Sequence, residues 1–200
     1  MTGLVYRSAL GYELVMRVLY GRHYAGRLRA VAEQVPAGAS VLELCPGPGA
    51  LYARHLRRRA GAYLAIDVNE RFVTRLRRLG ARALVRDLSA SADLPEADVV
   101  IMQASLYHFL PDAREIVDRM LAAARLRVIV AEPIRNLASS TIPMLAALSR
   151  LTTDAGAGGH RQRFDEVSLD DLMARYTDVT IAAFTIDGGR EKVFVLAPRR

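Results

Sequence analysis

Three acids and a pair of glycines carry most of the chemistry legible in this 200-residue chain. Glu43 lies in an apolar run, Val41-Leu42-Glu43-Leu44, which passes straight into Cys45-Pro46-Gly47-Pro48-Gly49. Asp67 closes a second apolar run, 62–66, and Asp87 closes a third, 83–86. Glycines where a strand turns into a helix let the backbone approach a ligand that a side chain would push away. The helix start also presents free N–H groups, which suit an anionic group. A carboxylate about 20 residues further on, at the end of the next strand, can accept hydrogen bonds from both hydroxyls of a ribose. This pattern implies recognition of a nucleotide-like ligand at the carboxyl ends of strands. Two glycines alone are equally consistent with a tight structural turn; the acid-ended strands favour the ligand.

Those residues require a sheet of short strands alternating with helices. Strands are expected at 40–45, 62–67, 82–87, 98–104 and 126–132, with helices at 50–59, 69–79 and 112–124 between them. Asn69 is a suitable N-cap and Gly80 a suitable stop for the second helix, while Pro111 and Asp112 open the third. Apolar residues at Leu14, Val15, Val18, Leu19, Leu28 and Val31 recur at helical spacing, so 10–35 reads as one long helix or two shorter ones. Beyond the fifth strand a helix is expected near 137–150, then a glycine-rich loop, 152–163. A short helix capped by Ser168 should cover 169–176. Strands at 179–186 and 192–196 follow, joined by a tight turn at Asp187-Gly188-Gly189.

From about Pro36 onward the chain resembles the class I S-adenosylmethionine-dependent methyltransferases. Glu43, Cys45, Gly47 and Gly49 fall on that family's first motif, an acid followed by alternating glycines, with Cys45 in place of the first glycine. The terminal antiparallel hairpin also matches. The resemblance implies a Rossmann-like α/β fold with helices on both faces of a seven-stranded, mostly parallel sheet. Its strand order would be 3-2-1-4-5-7-6, with strand 7 antiparallel. It further implies S-adenosylmethionine as cofactor. Glu43 would support the methionine amino group, Asp67 with Val68 would hold the ribose, and Asp87 with Leu88 would flank the adenine. The segment Asp98 to Gln103 resembles the fourth motif, which lines the methionine end. A nicotinamide fingerprint, G-x-G-x-x-G, fits poorly: counted from Gly47, its third glycine is Tyr52.

Methyl transfer is a displacement that depends on positioning, so its catalytic signature can be thin. After the fourth strand the chain reads Gln103-Ala104-Ser105-Leu106-Tyr107-His108-Phe109. This differs from the Pro-Pro-(Tyr/Phe) run of base-amino methyltransferases. The Tyr107-His108-Phe109 portion resembles small-molecule enzymes. A small-molecule or lipid acceptor is therefore expected, with Tyr107, His108 and Glu132 as catalytic candidates; O-, N- and C-methylation all remain open. His108 could act as a base near neutral pH or simply pack at the strand end. Arg135 and Asn136 fall on the same acceptor side by position, and His160 and Arg161 sit in the glycine-rich loop, where they could close over substrate or simply lie on the surface. Four scattered histidines give no metal site.

Composition bounds the rest. A chain of this length suits one globular unit, with 1–35 as a helical cap and 36–200 as the cofactor-binding domain. No apolar run reaches the ~18 residues of a membrane span, and no secretion signal opens the sequence, so a cytoplasmic protein is expected. The single cysteine excludes an internal disulfide. Net charge is +7, and Lys192 is the only lysine among 28 basic residues. That charge admits an RNA-methylating alternative, although solvated helix faces account for it better. A third reading is a non-catalytic subunit of the same fold that acts through a partner.

Overall fold

The computed structural model describes residues 21, 23–90, 93–134, 163–186 and 188–199. Its elements run α1 (His23–Glu33), β1 (Ser40–Leu44), α2 (Ala50–Arg54), β2 (Ala62–Asp67), α3 (Glu70–Arg78), β3 (Arg82–Val85) and β4 (Ala97–Gln103). A 3₁₀ turn (Leu106–Phe109), α4 (Ala113–Ala123), β5 (Ala124–Pro133), α5 (Glu166–Met173), a 3₁₀ segment (Ala174–Val179), β6 (Thr180–Thr185) and β7 (Glu191–Leu196) follow. The strands form one sheet in the order β3-β2-β1-β4-β5-β7-β6. All pairs are parallel except those of β7, which is antiparallel to both β5 and β6. The expected sheet order and the antiparallel strand are both present.

Alternation along the central strands explains why the sheet takes helices on both sides. Val41, Val99, Ile101 and Ile129 pack with Val31 of α1, Leu51 of α2 and Val73 of α3. Leu42, Leu44, Val100, Met102 and Val130 pack with Ile116 and Met120 of α4 and Leu169 of α5. Each such side chain, fully buried, contributes about 1.5–3 kcal/mol relative to exposure. β1 lies between β2 and β4. The order reverses there, and in open α/β sheets that crevice takes ligands.

Several boundaries differ from expectation. The helix after the glycine turn is short: α2 ends at His55, whose φ/ψ of −130/−56 breaks it, and a 3₁₀ turn carries Leu56 to Arg58. The reset lets Leu56 reach full burial while Arg57 and Arg58 stay in solvent. β3 stops at Val85, so Asp87 lies two residues beyond it. Asp87 Oδ1 instead accepts the Ser89 N–H, a local turn that competes with the ladder. Asp165, not Ser168, caps α5; Ser168 occupies the third helical position of a reciprocal capping box. Asn69 does cap α3, accepting from Arg71 N–H, and Gly80 follows that helix at φ +89. Expected elements over 10–20 and 137–162 lie outside the described residues, as does Asp187 of the hairpin turn. Gly188 and Gly189 of that turn hold positive φ. Among the described residues no helix is long and apolar enough to cross a membrane.

Candidate functional site

A cavity of about 200 Å³ opens at the carboxyl ends of β1, β2 and β4. Its floor is the glycine turn. Gly47 stands at φ +57 with open space where a Cβ would project, so the backbone itself faces the cavity. Gly49 has φ +79, and a Cβ there would come within 2.4 Å of Leu76 Cδ2. That contact seats the start of α2 directly on α3. Cys45 takes φ +51, a left-handed conformation that a glycine would adopt without strain. Its N–H donates to Ile66 O at 2.8 Å, tying the turn to β2.

Two buried acids flank this loop, and Asp67 holds it. Asp67 Oδ2 accepts the Gly47 N–H at 3.1 Å, and Oδ1 accepts the Asn69 N–H at 2.8 Å. Burial raises its pKa to about 6, and the donated N–H groups only partly offset that rise. Glu43 accepts the Tyr63 hydroxyl at 2.5 Å. Its pKa rises to about 7 because burial outweighs the Tyr63 bond and the nearby Asp67 charge adds to the rise. Both acids face the cavity with Asp87, Val68 and Leu88.

The opposite wall is built from α1, the end of β4 and the turn behind it. Gln103 lines the cavity, but its amide is engaged: Nε2 donates to Glu191 Oε1 at 2.7 Å. Glu191 Oε2 pairs at 2.5 Å with Arg27, another lining residue, so a buried network ties α1 to β4 and β7. Tyr107 and His108 also line the cavity, with ring centroids 4.0 Å apart. The Arg163 guanidinium lies 3.2 Å from the Tyr107 ring centre. Burial lifts the Tyr107 pKa to about 12 against the pull of that cation.

The structure thus brings Glu43, Cys45, Gly47, Asp67, Val68, Asp87, Leu88, Gln103, Tyr107 and His108 into one lining, with Gly49 directly beneath it. Glu132 stands apart: it is 1% exposed and accepts the Leu106 N–H at 3.0 Å instead of facing the cavity. Asp98, the first residue of the expected fourth motif, lies at the far end of β4. It is about 17 Å of strand from Gln103, bonded to Ser40 and Arg125. Arg135, Asn136, His160 and Arg161 lie outside the described residues. Sequence reasoning missed Tyr63, Arg27 and Glu191. No local signal marks them, since each acts through a partner distant in sequence. Among the described residues no three metal-ligating side chains cluster.

This is the fold of the class I S-adenosylmethionine-dependent methyltransferases, and solved structures of that fold superpose on nearly the whole chain. Magnesium protoporphyrin IX methyltransferase from Synechocystis PCC 6803, with bound S-adenosylhomocysteine, matches at TM-score 0.64 and 14% identity. That match covers 97% of each chain. The N-methyltransferase NodS from Bradyrhizobium japonicum WM9 matches at TM-score 0.60 and 14% identity, over 90% of this chain and 95% of its own. The Haloferax volcanii complex between the Trm112 methyltransferase activator and a putative methyltransferase matches at TM-score 0.67 and 13% identity. Coverage there is 100% of both chains. No protein-family model matches the sequence, and no curated protein does.

Proposed function

We propose that the protein transfers a methyl group from S-adenosylmethionine to a small-molecule or lipid acceptor. The observation that carries this reading is the acid-bracketed glycine turn at the point where strand order reverses. There Gly47 leaves room for a ligand, and Asp67 fixes the loop that faces it. The lining fits such a cofactor chemically: carboxylates for hydroxyl and ammonium groups, with Phe72, Val68 and Leu88 as apolar surface for a base. When bound, the cofactor supplies an electrophilic methyl carbon. The chain's own part is to place the acceptor. Glu43 holds the amino end and Asp67 the ribose end. Asp87 and Leu88 flank the adenine, and Gln103 borders the methionine end. Tyr107 and His108 present the acceptor in line, and His108 takes its proton where the acceptor must lose one.

The test is calorimetric titration with S-adenosylhomocysteine, with NAD as control. Micromolar binding of the first and none of the second supports the cofactor class; binding of NAD alone overturns it. Asp67→Ala should weaken S-adenosylhomocysteine by at least several-fold, and unchanged affinity would remove the ribose assignment. A second reading, a subunit that works through a partner, is favoured by the likeness to a protein seen in complex with an activator. It predicts no S-adenosylhomocysteine binding by the chain alone.

A further inference from the structure

We infer that Glu132 is a positioning residue for the turn Leu106–Phe109, fixing from behind the two rings that line the cavity. The inference rests on the methyl-transfer reading only in treating those rings as the acceptor's wall.

β4 and β5 are paired up to Gln103↔Ala131, so Glu132 begins where β4 leaves the sheet. The departure is abrupt. Ala104 donates its N–H to Ala131 O at 2.7 Å and then turns through φ +54, a conformation that L-residues seldom take. That reversal aims the Leu106 N–H back at the Glu132 carboxylate at 3.0 Å. Ser105 secures the other side, its hydroxyl donating at 3.3 Å to Cys45 O and at 3.2 Å to Gln103 O. Leu106 is fully buried beside these bonds, and Tyr107 and His108 follow it into the lining. A buried backbone N–H left without an acceptor is costly. The carboxylate therefore decides whether this left-handed exit keeps its shape.

The surroundings also give the turn a pH response. Burial raises the Glu132 pKa to about 8; the Leu106 and Tyr107 N–H groups and Arg163 pull it down, while Glu191 of β7 pushes it up. Lys192 lies opposite in the β5–β7 register, and Cys45 and Tyr107 each sense the Glu132 charge. Glu132 thus gains charge around pH 8, and the charged form accepts the Leu106 N–H more strongly.

The test follows the Tyr107 and His108 ring resonances, assigned by single substitutions, together with hydrogen exchange at the Leu106 amide. In the unmodified protein both rings should show an inflection near pH 8. Glu132→Gln keeps an acceptor for Leu106, so it should leave the rings at their low-pH positions and abolish the inflection. Glu132→Ala should shift both rings and speed Leu106 exchange by about tenfold, the scale expected for a lost hydrogen bond to a buried acceptor. In Glu132→Gln, which keeps the turn in place, S-adenosylhomocysteine affinity should stay within about twofold. Rings and exchange unaltered in Glu132→Ala, or an inflection surviving in Glu132→Gln, would overturn the inference. If the alanine variant does not fold, the glutamine variant decides alone. Absence of S-adenosylhomocysteine binding in the unmodified protein, with these responses intact, would remove the cofactor reading and leave the positioning role standing.

Discussion

At the amino-terminal edge of the sheet, Asp98 accepts the Ser40 N–H and hydroxyl at 2.8 Å each and Arg125 Nε at 3.0 Å. Its pKa falls, first through the Ser40 backbone bond. At the carboxyl edge, Glu43, Asp67 and Glu132 move the other way, to about 7, 6 and 8, each chiefly through burial. β4 supplies the acid of the first edge, and β1, β2 and β5 supply those of the second. The difference teaches where the fold is stabilised and where it keeps groups that would ionise more readily in water. Glu43 and Asp67, both raised and both facing one cleft, mark a functional-site candidate on physical grounds.

The comparison breaks first, and with the largest effect, at Gly49. Gly49→Ala forces a Cβ at φ +79 against Leu76. Left-handed strain and overpacking together should cost about 3 kcal/mol, read from the denaturant midpoint. S-adenosylhomocysteine affinity should fall at least tenfold as the turn shifts. A variant with unaltered stability would mean that the close seat of α2 on α3 is not needed.

A matched pair of amide substitutions sharpens the contrast. Asp98→Asn should cost about 1 kcal/mol at neutral pH through weakened bonds to Ser40 and Arg125, a partly exposed site where screening limits the effect. Cofactor affinity should not change. Glu43→Gln should do the reverse: it keeps an acceptor for Tyr63 and removes a buried charge, so the melting temperature at pH 8 should hold or rise while S-adenosylhomocysteine binding weakens. Equal stability losses in both variants would erase the distinction between the edges.

The pH dependence follows from the same shifts. For Glu43 the folded pKa lies above the unfolded one, so its stabilising contribution is complete below pH about 4.5 and is lost as pH rises through about 7. For Asp98 the folded pKa is depressed, so its contribution is present above the ordinary Asp range and is lost on acidification. Stability measured from pH 5 to 8 should therefore decline, and Glu43→Gln should flatten part of that decline. A profile identical in the two proteins would show that Glu43 ionises normally.

How much of this was legible in the sequence depends on the kind of signal. β1 and β4 announced themselves through continuous apolar runs, because burial on both faces leaves such a pattern, and the β6–β7 hairpin through its glycine turn. Asp67 was legible because it ends a strand after a regular interval. Gln103 was legible as the carboxyl end of the segment that resembles the fourth motif, whereas the bonds of Asp98 to Ser40 and Arg125 appear only in the register of β1 with β4. Tyr63, Arg27 and Glu191 were out of reach because their roles come from partners 20, 164 and 88 positions away. Glu132 was found by position but not by role, since nothing local reveals that Ala104 turns the next N–H groups back toward it.

The smallest expected effect belongs to Cys45, which lies on the carboxyl edge directly after β1. Its backbone takes a glycine-like φ of +51, while burial, together with the charges of Asp67, Asp87 and Glu132, holds its thiol well above the ordinary range. Cys45→Gly relieves the left-handed strain but adds chain entropy to the unfolded state and gives up a half-buried side chain. These opposing terms are each about 1 kcal/mol. The melting temperature should therefore move by only a few degrees in either direction. Because Cys45 lines the cavity, S-adenosylhomocysteine affinity is the sharper readout. It should stay within about threefold if Gly47 and Asp67 set the loop, since a threefold change is under 1 kcal/mol. A gain of tenfold or more would mean instead that the cysteine crowds the turn and that this chain has traded cofactor affinity for it.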